Sequence, residues 1–435
     1  MRKEKINVVW FRRDLRLTDN RTLLEAHWEG RPVLPVFIFD KDILEDLPRQ
    51  DARVTFIHQR LTALSDQLSE YSSGIICFHG KPADVWKDLL SRYDINCVYA
   101  GEDYEPYARR RDDEIKTILD KKGVELKLIK DQVIFSKSEI VKGDGLPYTV
   151  YTPYKRKWMS EVTEGHLEVV KSEHQNNYYK VSSRLPSLDE LGFEQSNIEV
   201  RDYDLNDLDN YDELRNFPAR DKTSHLSVHL RFGTVSIREV IQRIRPNESF
   251  LSELIWREFF MQILYHFPKV INSNFKEKYD HVKWRNDPDD FEKWKHGMTG
   301  YPMVDAGMRE LNATGYMHNR VRMVVAGFLC KHLLIHWSWG EAYFAEKLLD
   351  YDLSANNGNW QWAAGTGCDA APYFRVFNPT EQIRKFDKDL KYIRHWVPEL
   401  GKNDYPLPMV DHKMARARAL TVYKQGIEAF DLNSE

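Results

Sequence analysis

The chain has 435 residues, 42% of them hydrophobic, and a formal net charge of −4. This length predicts two or three domains, and the near-balanced charge excludes bulk positive charge as a means of holding a polyanion, so any nucleic-acid site must be a local basic patch. Four cysteines, Cys77, Cys97, Cys330 and Cys368, show no CxxC or zinc spacing, which excludes a disulfide framework and predicts reduced thiols and no metal site.

At the N-terminus the basic MRKEK is followed by an apolar run, Ile6 to Phe11, that is too short for a signal sequence and runs into Arg12-Arg13-Asp14. No apolar run approaches transmembrane length, so a soluble, intracellular protein without a membrane partner is expected. The first ~130 residues then alternate short apolar runs with helical patterns, by hydrophobic periodicity. The runs are INVVW (6–10), VLPVFIF (33–39), GIICF (74–78), INCVYA (95–100) and VELKLI (124–129). Amphipathic stretches such as Phe56 to Tyr71 and Pro82 to Tyr93 lie between them. Buried strands spaced by helices predict an α/β domain over residues 1–130, a Rossmann-like parallel sheet with helices on both faces. No GxGxxG is present, so the dinucleotide fingerprint is missing.

Residues 131–204 read as a connector. GDGLPY (143–148) is a turn, TPYKRKWM (152–159) a short helix start, and the acidic EVRDYDLNDLDNYDE a surface-running stretch. From 205 to 435 the pattern is helical, without convincing strand alternation, which predicts an all-helical domain. Within it, Thr223-Ser224-His225-Leu226-Ser227 opens a helix. Its hydroxyls can cap that helix, or its free amides can hold phosphate. In 251–266, LSELIWREFFMQILYH, Leu254, Ile255, Phe259 and Ile263 take apolar positions, while Glu253, Trp256, Arg257 and Phe260 share another face. That face reads either as a Glu–Arg surface pair over a half-buried Trp or as a ligand surface. In 316–334, YMHNRVRMVVAGFLCKHLL, Asn319, Arg322 and Met323 are spaced i, i+3, i+4. The densest stretch is Asp350 to Pro379, DYDLSANNGNWQWAAGTGCDAAPYFRVFNP. It mixes Trp, Asn, Asp and Arg among small residues. Buried polar groups need partners, and a large planar polar ligand would supply them. Trp360 and Trp362 stand about 200° apart around a helix, so one can face inward and one toward a pocket.

The last stretch closely resembles the flavin-binding signature of the DNA photolyase and cryptochrome family. Over residues 205–400 the chain is also similar to that family in TSHLSxxLxxGxxS, ELIWREF, MHNRxRM and the contexts HVKW, HWSW and NWQW, in the right order. The resemblance implies one FAD per chain in the helical domain. It assigns cofactor contacts to Tyr211, Thr223, Ser224, His225, Leu226, Ser227, Phe250, Arg257, Arg322, Asp350, Tyr351, Asp352 and Asn356. In that set Asp350 pairs with Arg322 beside the ring, Asp352 accepts the flavin N3–H, and Asn356 lies beside N5. Phe250 stands where several relatives have Trp. Glu253 is implied to hydrogen-bond a dimer base and Trp256 to stack on it. Phe260, Asn319, Met323 and Trp362 complete the dimer pocket, with Arg215, Arg257 and Arg320 near the DNA. Trp360, Trp337 and Trp284 match an electron relay.

The family either splits ultraviolet-induced pyrimidine dimers with blue light or senses the light. Glu253, Trp256 and Met323 favour the first, a cyclobutane pyrimidine dimer photolyase of the class I kind that repairs DNA by electron transfer from reduced FAD to a flipped-out dimer. Six-four photolyases typically have His at the positions of Asn319 and Met323. The alternative is a cryptochrome-type sensor without repair activity. The implied partner is damaged double- or single-stranded DNA, met by a monomer with no obligatory protein partner, cytoplasmic and nucleoid-associated. A second, light-harvesting chromophore is implied in the N-terminal domain. Folate-using members often carry Asn-Glu where this chain has Tyr107 and Ala108, so a deazaflavin or flavin mononucleotide is favoured over folate.

Overall fold

The computed structural model describes residues 4–182, 184–206, 208 and 210–434; the first three residues of the basic N-terminus lie outside them. By contact density the chain forms two compact units. The first holds residues up to Ile140, Lys157–Tyr203 and His225–Leu251, and the second Val141–Arg156, Asp204–Ser224 and Ser252 onward.

The first unit is built on five strands, β1 (Lys5–Phe11), β2 (Val33–Asp40), β3 (Ile76–Gly80), β4 (Asp94–Gly101) and β5 (Glu125–Ile129). All pair in parallel in the order β3-β2-β1-β4-β5. Each expected apolar run is one of these strands. Ile6, Val8, Leu34, Val36, Val98 and Ala100 pack into one buried cluster, because a parallel sheet covered on both faces leaves its central strands no wet side. The covering helices include α1 (Arg21–Trp28), α2 (Ala52–Ser69), α3 (Pro82–Arg92) and α4 (Pro106–Asp120). The helix expected from Phe56 starts at Ala52, since Asp51 accepts the Arg53 N–H at 2.8 Å and caps it.

The connector region contains α5 (Tyr151–Glu161). Two further helices, α6 (Leu226–Phe232) and α7 (Ile237–Ile244), belong to the first unit. Two features fix them there. Gly233 ends α6 at φ 63°, and a Cβ on it would lie 1.9 Å from the Arg13 carbonyl oxygen, so only glycine fits. Arg238 of α7 is buried and pairs with Asp19 (2.9 Å) and Asp131 (2.7 Å), which offsets the cost of removing its charge from water.

The second unit is helical. It comprises most of α8 (Glu248–His266), then α9 (Pro288–Lys295), α10 (Pro302–Thr314), α11 (Asn319–Gly327), α12 (Trp337–Lys347), α13 (Leu353–Ala364), α14 (Pro379–Phe386), α15 (Lys391–Trp396) and α16 (His412–Ser434). Trp294, Met303, Val324, Val325, Phe328, Trp337 and Trp360 meet in its core. The long helix expected over 316–334 is shorter. His318 caps α11 by accepting the Arg320 N–H on Nδ1 at 3.1 Å, and Phe328–His332 forms a π-turn before Leu334 takes a positive φ. No helix among the described residues is long and apolar enough to cross a membrane.

Candidate functional site: a polar cluster at the start of α13 beside an aromatic face of α8

On α8 the apolar residues Leu254, Ile255, Phe259 and Ile263 are buried, while Glu253, Trp256 and Arg257 are half-buried. Phe260 is buried as well. Its ring lies where a Cβ on Gly358 would come within 2.2 Å, so the glycine admits the ring and docks α8 closely on α13. Glu253 is held by Arg215 at 2.6 Å, and the Arg215 guanidinium lies 4.9 Å from the Tyr211 ring. Burial opposes the charge on Arg215, but Glu253 and Tyr211 outweigh it and raise its pKa. Trp256 stacks on Tyr151 of α5, with ring centroids 3.7 Å apart and planes at 8°. Nothing in the chain marks Tyr151, 105 positions upstream, as the partner of Trp256.

Helix α11 presents Asn319, exposed, and Arg320 and Met323, half-buried. Arg320 donates to Asn216 Oδ1 at 2.6 Å and lies 4.4 Å over the Phe386 ring. It makes no ion pair among the described residues, and burial with the nearby Arg215 and Arg375 lowers its pKa. Such an uncompensated cation favours a phosphate. Arg322 forms a fork on Asp350, at 3.2 and 2.9 Å, and donates to the Met317 carbonyl at 2.7 Å. Thr223 Oγ1 meets the Tyr316 hydroxyl at 3.1 Å. In the first unit, His225 precedes α6 in a left-handed conformation, Ser227 is exposed and Phe250 is buried.

Asp352 caps α13. Its Oδ1 accepts the N–H groups of Ser354 (3.1 Å) and Ala355 (3.2 Å) and the Ser354 hydroxyl. Asn356, buried one turn on, donates its amide to Glu341 Oε1 (2.8 Å) and to the Glu341 carbonyl (3.1 Å). That use of the NH2 leaves Asn356 Oδ1 as the acceptor it can offer a ligand. Burial raises the pKa of Glu341, against the bond from Asn356. Not every polar residue of the stretch is free for a ligand. Asn357 and Gln361 donate to the Val270 carbonyl at 3.0 and 2.9 Å, and Gln361 Oε1 accepts the Phe275 N–H at 2.8 Å. They pin a loop, a role invisible in the sequence. Asp350, Asp352, Arg322 and Asn356 carry donors and acceptors of the kind that the polar edge of a flavin needs, and Tyr351 beside them is half-buried.

Trp360 and Trp337 are buried, and Trp284 is half-buried. A Cβ on Gly340 of α12 would lie 2.1 Å from the Trp360 ring, so that glycine lets the indole sit against α12. Trp337 donates to Asn274 Oδ1 at 2.9 Å. The His336 ring stands between Trp284 and Trp337, with centroids at 5.2 and 5.1 Å. Trp362 is half-buried, so the two tryptophans of α13 differ in exposure as their spacing predicts.

At the C-terminal ends of β1 and β4, Arg12, Arg13, Gly101, Glu102 and Asp103 line a small polar cavity. The Trp10 ring nearby carries Arg12 at 3.8 Å and Arg111 at 4.9 Å. Tyr107 donates its hydroxyl to Asp40 at 2.6 Å, and Ala108 is buried.

Known proteins resemble this chain over both of its halves. Residues 7–173 match the family model described as DNA photolyase, and residues 250–403 match the FAD binding domain of DNA photolyase. A deoxyribodipyrimidine photo-lyase of Halobacterium salinarum is 38% identical, across 97% of this chain and 99% of its own. The crystal structure of a bacterial class III photolyase from Agrobacterium tumefaciens is 35% identical with a TM-score of 0.88, covering 98% of this chain and 99% of that one. A cryptochrome from Synechocystis is 25% identical with a TM-score of 0.84, covering 97% and 100%. The two halves match in order and near-full-length relatives share over a third of its residues; the chain belongs to the DNA photolyase family and carries that family's FAD-binding domain.

Proposed function

We propose that this protein is a deoxyribodipyrimidine photo-lyase that repairs cyclobutane pyrimidine dimers with blue light. The observation that carries this reading is the pair Glu253 and Trp256, half-buried on one face of α8, each held by a neighbour, Arg215 and Tyr151. A dimer has two puckered rings whose edges keep carbonyl and N–H groups. Trp256 and Trp362 offer flat walls for the rings, Met323 fills between them, Glu253 accepts an N–H, and Asn319 adds a polar contact. Arg320, with Arg215 and Arg257, holds backbone phosphate, which positions the strand without reading sequence. Flipping the dimer out costs a few kcal/mol, less than for an intact pair.

Bound FAD supplies the blue-light absorption and the electron. Asp352 and the Arg322–Asp350 pair hold its polar edge, Asn356 presents Oδ1 beside it, and Thr223 and Ser224 serve its phosphates. Trp360, Trp337 and Trp284 form the relay that would carry electrons to oxidised FAD; repair itself, in which the dimer gives its borrowed electron back, does not draw on it. A second chromophore binds near Tyr107 in the first unit, and Tyr107 with Ala108 favours a deazaflavin or flavin mononucleotide over folate. The protein acts as a monomer on damaged DNA. A cryptochrome-type sensor is the second reading, favoured by the Synechocystis likeness. Illuminating a dimer-containing oligonucleotide with pure, pre-reduced protein separates the two: repair in light and none in darkness supports the photo-lyase, and no repair in either supports the sensor.

A further inference from the structure

Tyr151 and Trp256 form a near-parallel stack at contact distance, 3.7 Å and 8°. The other rings against Trp256 meet it edge-on or tilted: Phe259 at 80° and Phe260 at 31°, with centroids 5.6 and 5.4 Å away. Tyr151 itself is buried. One face of the indole is therefore covered by a ring, and the exposure that Trp256 keeps belongs to the rest of it.

Tyr151 is fixed independently of the stack. Its main-chain N–H donates to Asp369 Oδ2 at 2.8 Å, and its hydroxyl donates to the Ser252 carbonyl at 2.7 Å. In an α-helix that same carbonyl accepts the amide of the residue four positions on, Trp256. Lys155, one turn along α5, donates to the Ser252 hydroxyl at 2.7 Å. The start of α5 is thus tied to the turn of α8 that carries Trp256, which holds the two rings against each other.

We infer that Tyr151 is a positioning residue for lesion recognition: it backs Trp256, so that a flipped pyrimidine dimer stacks on the opposite indole face as the third plate. This inference rests on the reading of Trp256 as the dimer's stacking partner. Parallel rings are stabilised by offset overlap and cannot both fit on one face; the Tyr151 side is closed to the ligand. A fixed indole also loses no rotational freedom when the lesion arrives, which is how preorganisation raises affinity.

The test uses full-length, flavin-loaded protein and two oligonucleotide duplexes, one with a cyclobutane thymine dimer and one undamaged. Tyr151→Leu removes the ring but keeps the main-chain bond to Asp369. Tyr151→Phe keeps the ring and loses the hydroxyl. Tyr151→Leu is expected to weaken binding of the dimer duplex by roughly three- to tenfold, the worth of one aromatic pair. Binding of the undamaged duplex and flavin content should match wild type. In repair assays KM should rise with kcat unchanged, and Tyr151→Phe should restore wild-type discrimination. Equal weakening for both duplexes means a merely structural role and overturns the inference, as does an unchanged preference for the dimer. Tighter dimer binding also overturns it, because Tyr151 would then be occupying the lesion's face. If wild-type protein itself shows no preference for the dimer duplex, the reading of Trp256 falls; if it does and Tyr151→Leu matches it, the inference about Tyr151 alone falls.

Discussion

Asn356 gives its amide hydrogens to Glu341, at 2.8 Å to the carboxylate and 3.1 Å to the main chain. An amide held this way cannot turn over, so its oxygen stays directed away from Glu341. Without Glu341 either face of the amide could meet the cofactor.

That relationship predicts a positioning role for Glu341. Glu341→Leu should let the Asn356 amide turn, and reduced flavin in the purified protein should be reoxidised by air roughly three- to tenfold faster, the worth of one hydrogen bond. Glu341→Gln keeps an acceptor and should stay close to wild type. The decay of the reduced-flavin absorbance after mixing with air measures this, and identical rates for Leu and wild type would contradict it.

Asp352 has two duties that substitution can separate. Asp352→Asn keeps a good helix cap but loses the charged acceptor. Asp352→Ala loses both, at about 1 kcal/mol for the cap and roughly 1–3 kcal/mol for the bond to flavin. Both variants should purify with less flavin, and Ala alone should show a clearly lower Tm. Full flavin occupancy in Asp352→Ala would remove Asp352 from the cofactor site.

The relay predicts a split between two light reactions. Trp284→Phe, Trp337→Phe and Trp360→Phe should each block photoreduction of the oxidised flavin while chemically pre-reduced protein still repairs. Normal photoreduction in all three variants would show that electrons enter by another path.

Glu310 predicts a pH dependence of stability. It is buried on α10, where it accepts from the Tyr392 hydroxyl (2.6 Å) and the His318 N–H (3.4 Å). Burial raises its pKa from 4.5 to about 7; the bonds from Tyr392 and His318 and the charge of Arg322 oppose this, and Asp221 adds to it. Unfolded Glu310 loses its proton near pH 4.5, whereas the folded state keeps it to about 7. Between those values the folded state binds the extra proton, so stability falls as pH rises through that window and levels off above it. The loss should be on the order of 3 kcal/mol relative to Glu310→Gln. Urea unfolding of both proteins at pH 5 and pH 7.5 gives the difference; parallel curves would show that Glu310 does not titrate there.

Much of this was legible in the chain because it is local. The five strands announce themselves as apolar runs, and the face shared by Glu253, Trp256 and Arg257 follows from helical spacing alone. What sequence did not show depends on distant neighbours. Tyr151 is known as the backing of Trp256 only once α5 meets α8. Gly358 matters because Phe260 needs its missing Cβ, and Asn357 and Gln361, polar residues of the densest stretch, are used up by the Val270 carbonyl and the Phe275 N–H. The late start of α11 at the His318 cap and its early end at the π-turn are likewise unmarked, because neither disturbs hydrophobic periodicity.

The central claim is the identity of the substrate, and lesion choice tests it most directly. Oligonucleotides identical except for a cyclobutane dimer or a six-four photoproduct should be illuminated with pre-reduced protein under one blue lamp, and the restored bases counted. With Asn319 and Met323 in place of a histidine pair, the account predicts repair of the cyclobutane dimer and none of the six-four product. Six-four repair equal to or above cyclobutane repair would contradict it.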